Sequence, residues 1–246
     1  MDTDKFEQAC NAVIHNPITR EGIGTLQEKT LHAVLKYYYE PDSAYHEQRI
    51  GSYVADIARE REIIEVQTRN FNAMRGKLTS FLKEYDVTIV YPIPHIKWLR
   101  WLNEETGEIS PRRKSPKTGT PYTAFKELYR IKQFLKHPNL HLDLIFIDLE
   151  ECRLLNGWSK DKKKGSTRYE RIPVALFDVL HIYNTADYEK MIPDNLPMPF
   201  SSKDYSKCTK LTLSHAQTAL NILHYLELVT RVGKKGNAYL YEITPI

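Results

Sequence analysis

Asp56 and Glu65 are the residues whose setting points first to chemistry. Asp56 is the sole carboxylate in the apolar run 53–58, YVADIA, and the β-branched run that opens at Glu62 is apolar but for Glu65 and Gln67. Side chains alternate across a strand, so Glu65 and Gln67 share one face while Ile64, Val66 and Thr68 take the other. A hairpin turning at Glu60 and Arg61 puts Asp56 opposite Glu65, with Cβ atoms about 4.5–5.5 Å apart. Facing carboxylates repel, and the pair costs stability unless something positive sits between them. A hard divalent cation, Mg²⁺ or Mn²⁺, is the expected cofactor, because it takes oxygen ligands and is commonly held by one or two carboxylates. The plainer alternative is two solvated positions on the polar face of a half-exposed sheet.

Elements on both sides must hold that pair in place. Residues 25–39, TLQEKTLHAVLKYYY, read as an amphipathic helix with Glu28 at the border of its apolar face. Residues 45–50 open the sheet, with His46 and Glu47 on opposite faces; Glu47 is a further candidate acid and His46 a structural histidine. Residues 70–85 give a second amphipathic helix through Phe71, Met74, Leu78, Phe81 and Leu82, and residues 87–93 a buried strand ended by proline.

Helix, three strands, helix, strand, with acids at Glu28, Asp56 and the Glu65-Val66-Gln67 triplet: this order resembles the PD-(D/E)XK nuclease superfamily over about residues 20–95. The resemblance implies an α/β fold with a restriction-endonuclease-like mixed sheet flanked by helices. It also implies a metal held by Asp56 and Glu65, with Glu28 completing or positioning the site, and hydrolysis of DNA phosphodiester bonds. One position departs from the pattern: the family usually has lysine where Gln67 stands. Glutamine can position water but brings no charge, and Arg69, two residues on, is the candidate replacement.

Composition is that of an ordinary folded chain, and a net charge of only +4 carries little weight as evidence for a nucleic-acid partner. With neither a signal peptide nor a spanning segment expected, no membrane partner is implied and a cytoplasmic location is the expectation. Cys10, Cys152 and Cys208 have no metal-ligand or disulfide-framework spacing.

The distribution of charge says more. Arg112, Arg113, Lys114 and Lys117 fall within six positions of a proline-interleaved loop or hairpin. A second basic stretch, 157–171, holds Lys160, Lys162, Lys163, Lys164, Arg168 and Arg171 and reads as another loop. Either can be a solubilising segment, but two together suit the phosphate backbone of DNA. The run 140–150 reads as a long strand whose terminal Asp148, Glu150 and Glu151 show no metal-ligand spacing.

Beyond residue 197, a short helix at 203–208, a longer one at 213–228 and a hairpin turning at 233–237 resemble the winged-helix variety of helix-turn-helix domain. The resemblance places Ser214, His215, Gln217 and Thr218 toward the major groove and Lys234 and Lys235 on the wing at phosphate; winged helices also serve protein contacts. A helix at 174–183 would complete its three-helix core. The expected organisation is therefore a nuclease-like domain over 1–172 and a small winged-helix domain over 173–246, together a metal-dependent DNA endonuclease. A catalytically inactive DNA-binding regulator or assembly factor with the same fold is the alternative, and an RNA-directed enzyme a third reading. Two-fold cutting would call for a homodimer.

Overall fold

Asp2 opens the first helix by accepting a hydrogen bond from the Lys5 amide at 2.9 Å, satisfying a donor that a helix start leaves without a partner. In this computed structural model, residues 2–15, 30–103, 105–156 and 165–245 are described. In chain order the helices and strands are α1 (Thr3–Cys10), α2 (Thr30–Tyr39), β1 (His46–Ile50), β2 (Tyr53–Arg59), β3 (Glu62–Val66), α3 (Arg75–Phe81), β4 (Asp86–Leu102), β5 (Arg113–Lys114), α4 (Phe125–Leu128), β6 (Leu140–Leu154), β7 (Thr167–Ile182), β8 (Phe200–Ser201), α5 (Ser202–Thr209), α6 (Leu213–Tyr225), β9 (Val229–Lys235) and β10 (Ala238–Ile243). The class is mixed α/β. Among the described residues the large sheet runs β1-β2-β3-β4-β6-β7, with β5 beside β4, and a small second sheet runs β8-β10-β9.

By internal contacts the chain divides into two units, and several strands pass from one into the other. One comprises Met1–Gln48, Pro92–Gly119 and Ile145–Val179; the second comprises Arg49–Tyr91, Thr120–Leu144 and Leu180–Ile246. In the first unit α1 and α2 meet through Phe6 and Tyr38, edge to face at 5.6 Å. The buried stripe of α2 is Leu31, Val34 and Leu35, spaced i, i+3, i+4 as a helix packed on one face requires.

In the second unit β2 and β3 pair antiparallel in the expected register, Arg59 with Glu62, Ala58 with Ile63 and Ile57 with Ile64. Glu60 occupies the turn at a φ of 35°, in the left-handed region. Strand β3 then pairs parallel with β4, Glu62 with Asp86 through Val66 with Val90. Parallel neighbours need a crossover, and α3 provides it, burying Leu78 and Phe81 completely. This crossover is shorter than the helix expected over 70–85: Asn70 turns the chain at a φ of 59°, a 3₁₀ turn covers Phe71–Met74, and only Arg75–Phe81 is α-helical. Residues 121–134 divide into 3₁₀ and α turns, with Ile131 off helical geometry at φ −117°, ψ 20°.

Strand β4 does not end at proline. It runs through Pro92 and Pro94, with side-chain and loop partners on its neighbouring backbone groups: the Ile96 amide donates to Asp148 Oδ1 at 2.9 Å, and Pro94 O accepts from Gly119 N at 2.8 Å. The larger correction concerns residues 174–183, expected as a helix. All but Tyr183 lie in β7, hydrogen-bonded beside the long β6, so the expected boundary between 172 and 173 falls inside a strand.

Near the C-terminus, Ser201 caps α5 in a reciprocal capping box with Asp204. Thr212 caps α6. The β9–β10 hairpin is tighter than expected: Lys235 pairs with Ala238, leaving Gly236 and Asn237 as a two-residue turn. Gly236 sits at a φ of 60°, which glycine adopts without steric cost.

Candidate functional site: a carboxylate pair on neighbouring strands

Continuing the β2–β3 register by one step puts Asp56 opposite Glu65. Backbone pairing stops there because the Asp56 side chain takes over: its Oδ2 accepts from the Val66 amide at 2.8 Å. Glu65 is only 2 % exposed. Burial, reinforced by the Asp56 charge, pushes its carboxyl from 4.5 up to about 7 against the opposing pull of Lys77.

The positive charge that this pair requires comes from α3. Lys77 Nζ donates to Glu65 Oε1 at 3.0 Å and to Oε2 at 2.8 Å. Neither Gln67 nor Arg69 has that role. The Gln67 amide nitrogen donates to the carbonyls of Arg69 and Asn70 and braces the turn into α3, and Arg69 is exposed. Lys77 is not among the residues expected from sequence, although a signal exists: it lies three residues after Met74 and four before Phe81, both buried, where a solvated lysine is out of place.

Of the other expected acids, Glu28 lies outside the described residues. Glu47 lies in the first unit, at a φ of 51°, and accepts from the buried Lys36 at 3.1 Å. Two hard carboxylates with an electrostatic deficit are a donor set that suits Mg²⁺ or Mn²⁺. Among the described residues, no three His, Cys, Asp or Glu side chains converge as metal ligands, so this pair would be completed by water or substrate oxygens.

The expected nucleic-acid contacts are dispersed. Arg113 and Lys114 form β5, paired with Leu99 and Trp98, so the first basic segment is a hairpin arm. Arg112 lies over the Trp98 ring at 4.6 Å and pairs with Glu150 at 3.1 Å; Lys117 is exposed. Lys160, Lys162, Lys163 and Lys164 lie outside the described residues, whereas Arg168 and Arg171 belong to β7 rather than to a loop. On α6, Ser214 and Gln217 are exposed and His215 and Thr218 half-buried. On the hairpin, Arg231 and Lys234 lie over the Tyr239 ring at 4.2 and 4.8 Å, and Lys235 is exposed.

The chain belongs to the family described as Domain of unknown function (DUF8091), whose profile matches residues 29–183. It is also similar to an uncharacterized protein of Treponema pallidum (strain Nichols), 28% identical over 230 residues that cover 91% of this chain and 88% of the relative. No solved structure matches. Among the described residues, no helix is long and apolar enough to cross a membrane.

Proposed function

We propose that this protein is a metal-dependent DNA nuclease of the PD-(D/E)XK kind, with Asp56 and Glu65 holding Mg²⁺ or Mn²⁺. The observation that carries the reading is the facing of these two carboxylates across β2 and β3, in a unit with the antiparallel β2–β3 hairpin, α3 crossover and parallel β4. A cation bound there would acidify a water and offset charge on the phosphate. Lys77 is the chain's own cation at the pair and takes the part for which the resemblance looks to a lysine at position 67. Asp56 is oriented by the Val66 amide, so its position does not depend on metal. The basic β4–β5 hairpin supplies phosphate contacts, and the β8-β10-β9 order behind α5 and α6 supports the winged-helix reading of the C-terminal segment.

Lys77 also favours a second reading, a DNA-binding protein without turnover, because its ammonium already neutralises Glu65. Incubating plasmid, linear, branched and single-stranded DNA with Mg²⁺, Mn²⁺ or EDTA separates the two. Metal-dependent cutting that disappears in Asp56→Asn is the expected result. Tight binding with no cutting on any substrate in either metal would discard the nuclease.

A further inference from the structure

We propose that the unit containing Pro92–Gly119 and Ile145–Val179 carries a phosphate-binding site formed by Lys97, Arg168 and Arg171 and organised by Glu151. It lies apart in the sequence from the carboxylate pair, and its occupancy does not depend on cleavage.

Glu151 is fully buried on β6, yet four cations converge on it from three strands. Arg153 Nη1 approaches at 2.9 Å, Arg168 Nε at 3.2 Å, Arg171 Nε at 3.4 Å and Lys97 Nζ at 3.6 Å. Among the described residues, Lys97 and Arg171 pair with no other carboxylate. Burial works against the Glu151 carboxyl, but Lys97, Arg168 and Arg171 hold it below its usual range, so it stays ionised. Lys97 is itself pulled down by burial, Glu151 opposes that, and Arg171 and Arg168 add to it. The cluster therefore stores repulsion among its cations. Buried ion pairs are poor stabilisers even when balanced, so a buried carboxylate ringed by cations is poorly explained as scaffolding.

The four cations differ in their remaining donors. Arg153 is spent: Nε and Nη2 donate to the side chain and carbonyl of the buried Ser166 at 3.1 and 3.0 Å, which makes it a positioning residue. Arg171 meets Glu151 through Nε, and its Nη groups have no hydrogen-bond partner among the described residues. Among the described residues, Lys97 Nζ reaches only Glu151, at the long distance above. The side chains of Lys97, Arg168 and Arg171 are 23 %, 38 % and 15 % exposed, so they are partly dehydrated yet accessible. Partly dehydrated guanidinium forks beside an ammonium match the oxygens and charge of a phosphate group. The source is either a free or terminal phosphate or the phosphodiester chain of a nucleic acid.

The test uses the full chain in EDTA, wild type beside Lys97→Gln and Arg171→Gln. Thermal midpoints are measured in phosphate and in chloride at matched ionic strength, and binding of a labelled oligonucleotide is measured across a salt series. Phosphate is expected to raise the wild-type midpoint above that in chloride, and both variants to lose this response. Lys97→Gln, which relieves repulsion, is expected to match or exceed wild type in chloride, so loss of the response cannot be unfolding. If the source is nucleic acid, each variant also reduces the slope of log affinity against log salt by about 0.7–0.9; an unchanged slope with a lost phosphate response identifies the free or terminal group. A phosphate response in the variants equal to that of wild type, or no response in any protein together with unchanged oligonucleotide binding, overturns the site.

Discussion

A carboxyl driven up by burial makes stability depend on pH in a definite sense. With Glu65 at about 7 in the fold against 4.5 as the ordinary value, the folded state holds a proton that the unfolded chain has released between those limits. Stability from this group is therefore fully present below about pH 4.5 and is lost as pH rises through 7, by roughly 3 kcal/mol in total. Glu65→Gln should flatten that part of the curve, and urea unfolding at pH 5 and pH 8 measures it; an unchanged slope would mean that Glu65 does not titrate in this window. Lys77 bears on the same balance from the other side. Lys77→Gln leaves Glu65 facing Asp56 without its ammonium, and is expected to cost about 2 kcal/mol at pH 8 and much less at pH 5. If the pair takes metal, millimolar Mg²⁺ should raise the melting temperature of Lys77→Gln more than that of wild type, because the competing ammonium is gone. No Mg²⁺ response in either protein would remove the metal from the site.

Strands joined by tight turns are legible in the sequence; those held by distant partners are not. The β2–β3 register follows from alternation alone, since a slip of one residue would carry Ile57 and Ile64 out of the core. Strand β7 gives no such alternation: Pro173, Leu176 and Ile182 are buried while Val174 and Phe177 are exposed, a spacing close to that of a helix. Its conformation comes from pairing with β6, from which residues 155–166 rather than a tight turn separate it. Because local pattern hides β7, Arg168 and Arg171 read as loop residues and the Glu151 cluster leaves no trace in the sequence. The path of β4 is hidden for a related reason, since Asp148 and Gly119 supply bonds that no local pattern announces. Gly119 is there because nothing larger fits: a Cβ would run into the Pro94 carbonyl and the Ile93 side chain. Gly119→Ala should destabilise by about 1–3 kcal/mol, read as a fall in denaturation midpoint with unchanged m-value; a neutral result would mean that the loop is free to move away from β4.

Across the whole chain, charge is arranged rather than abundant, with 35 Lys and Arg against 31 Asp and Glu. The family match ends at residue 183, one residue after β7, yet the Treponema relative aligns over 91% of the chain, too much to leave out residues 184–246. Most of the segment beyond the family match therefore has a counterpart in another organism. If that segment holds DNA, two groups of side chains should fail differently. Ser214 and Gln217 are exposed in the first turns of α6, where side chains of a groove-bound helix meet base edges. Replacing both with Ala should weaken preferred duplexes by about 1–3 kcal/mol for each base edge no longer read and leave random duplex little changed. Lys234 and Lys235, on a hairpin stiffened by the stacking of Arg231 and Lys234 on Tyr239, would meet phosphate and carry no base information. Lys234→Ala with Lys235→Ala should weaken every duplex alike and lower the salt slope by about 0.9 for each phosphate no longer neutralised. Fluorescence anisotropy on both duplex types over a salt series makes the comparison. If both double variants bind as wild type does, the α6 face is a protein-binding surface, and the basic residues of β4, β5 and β7 would have to hold DNA without it.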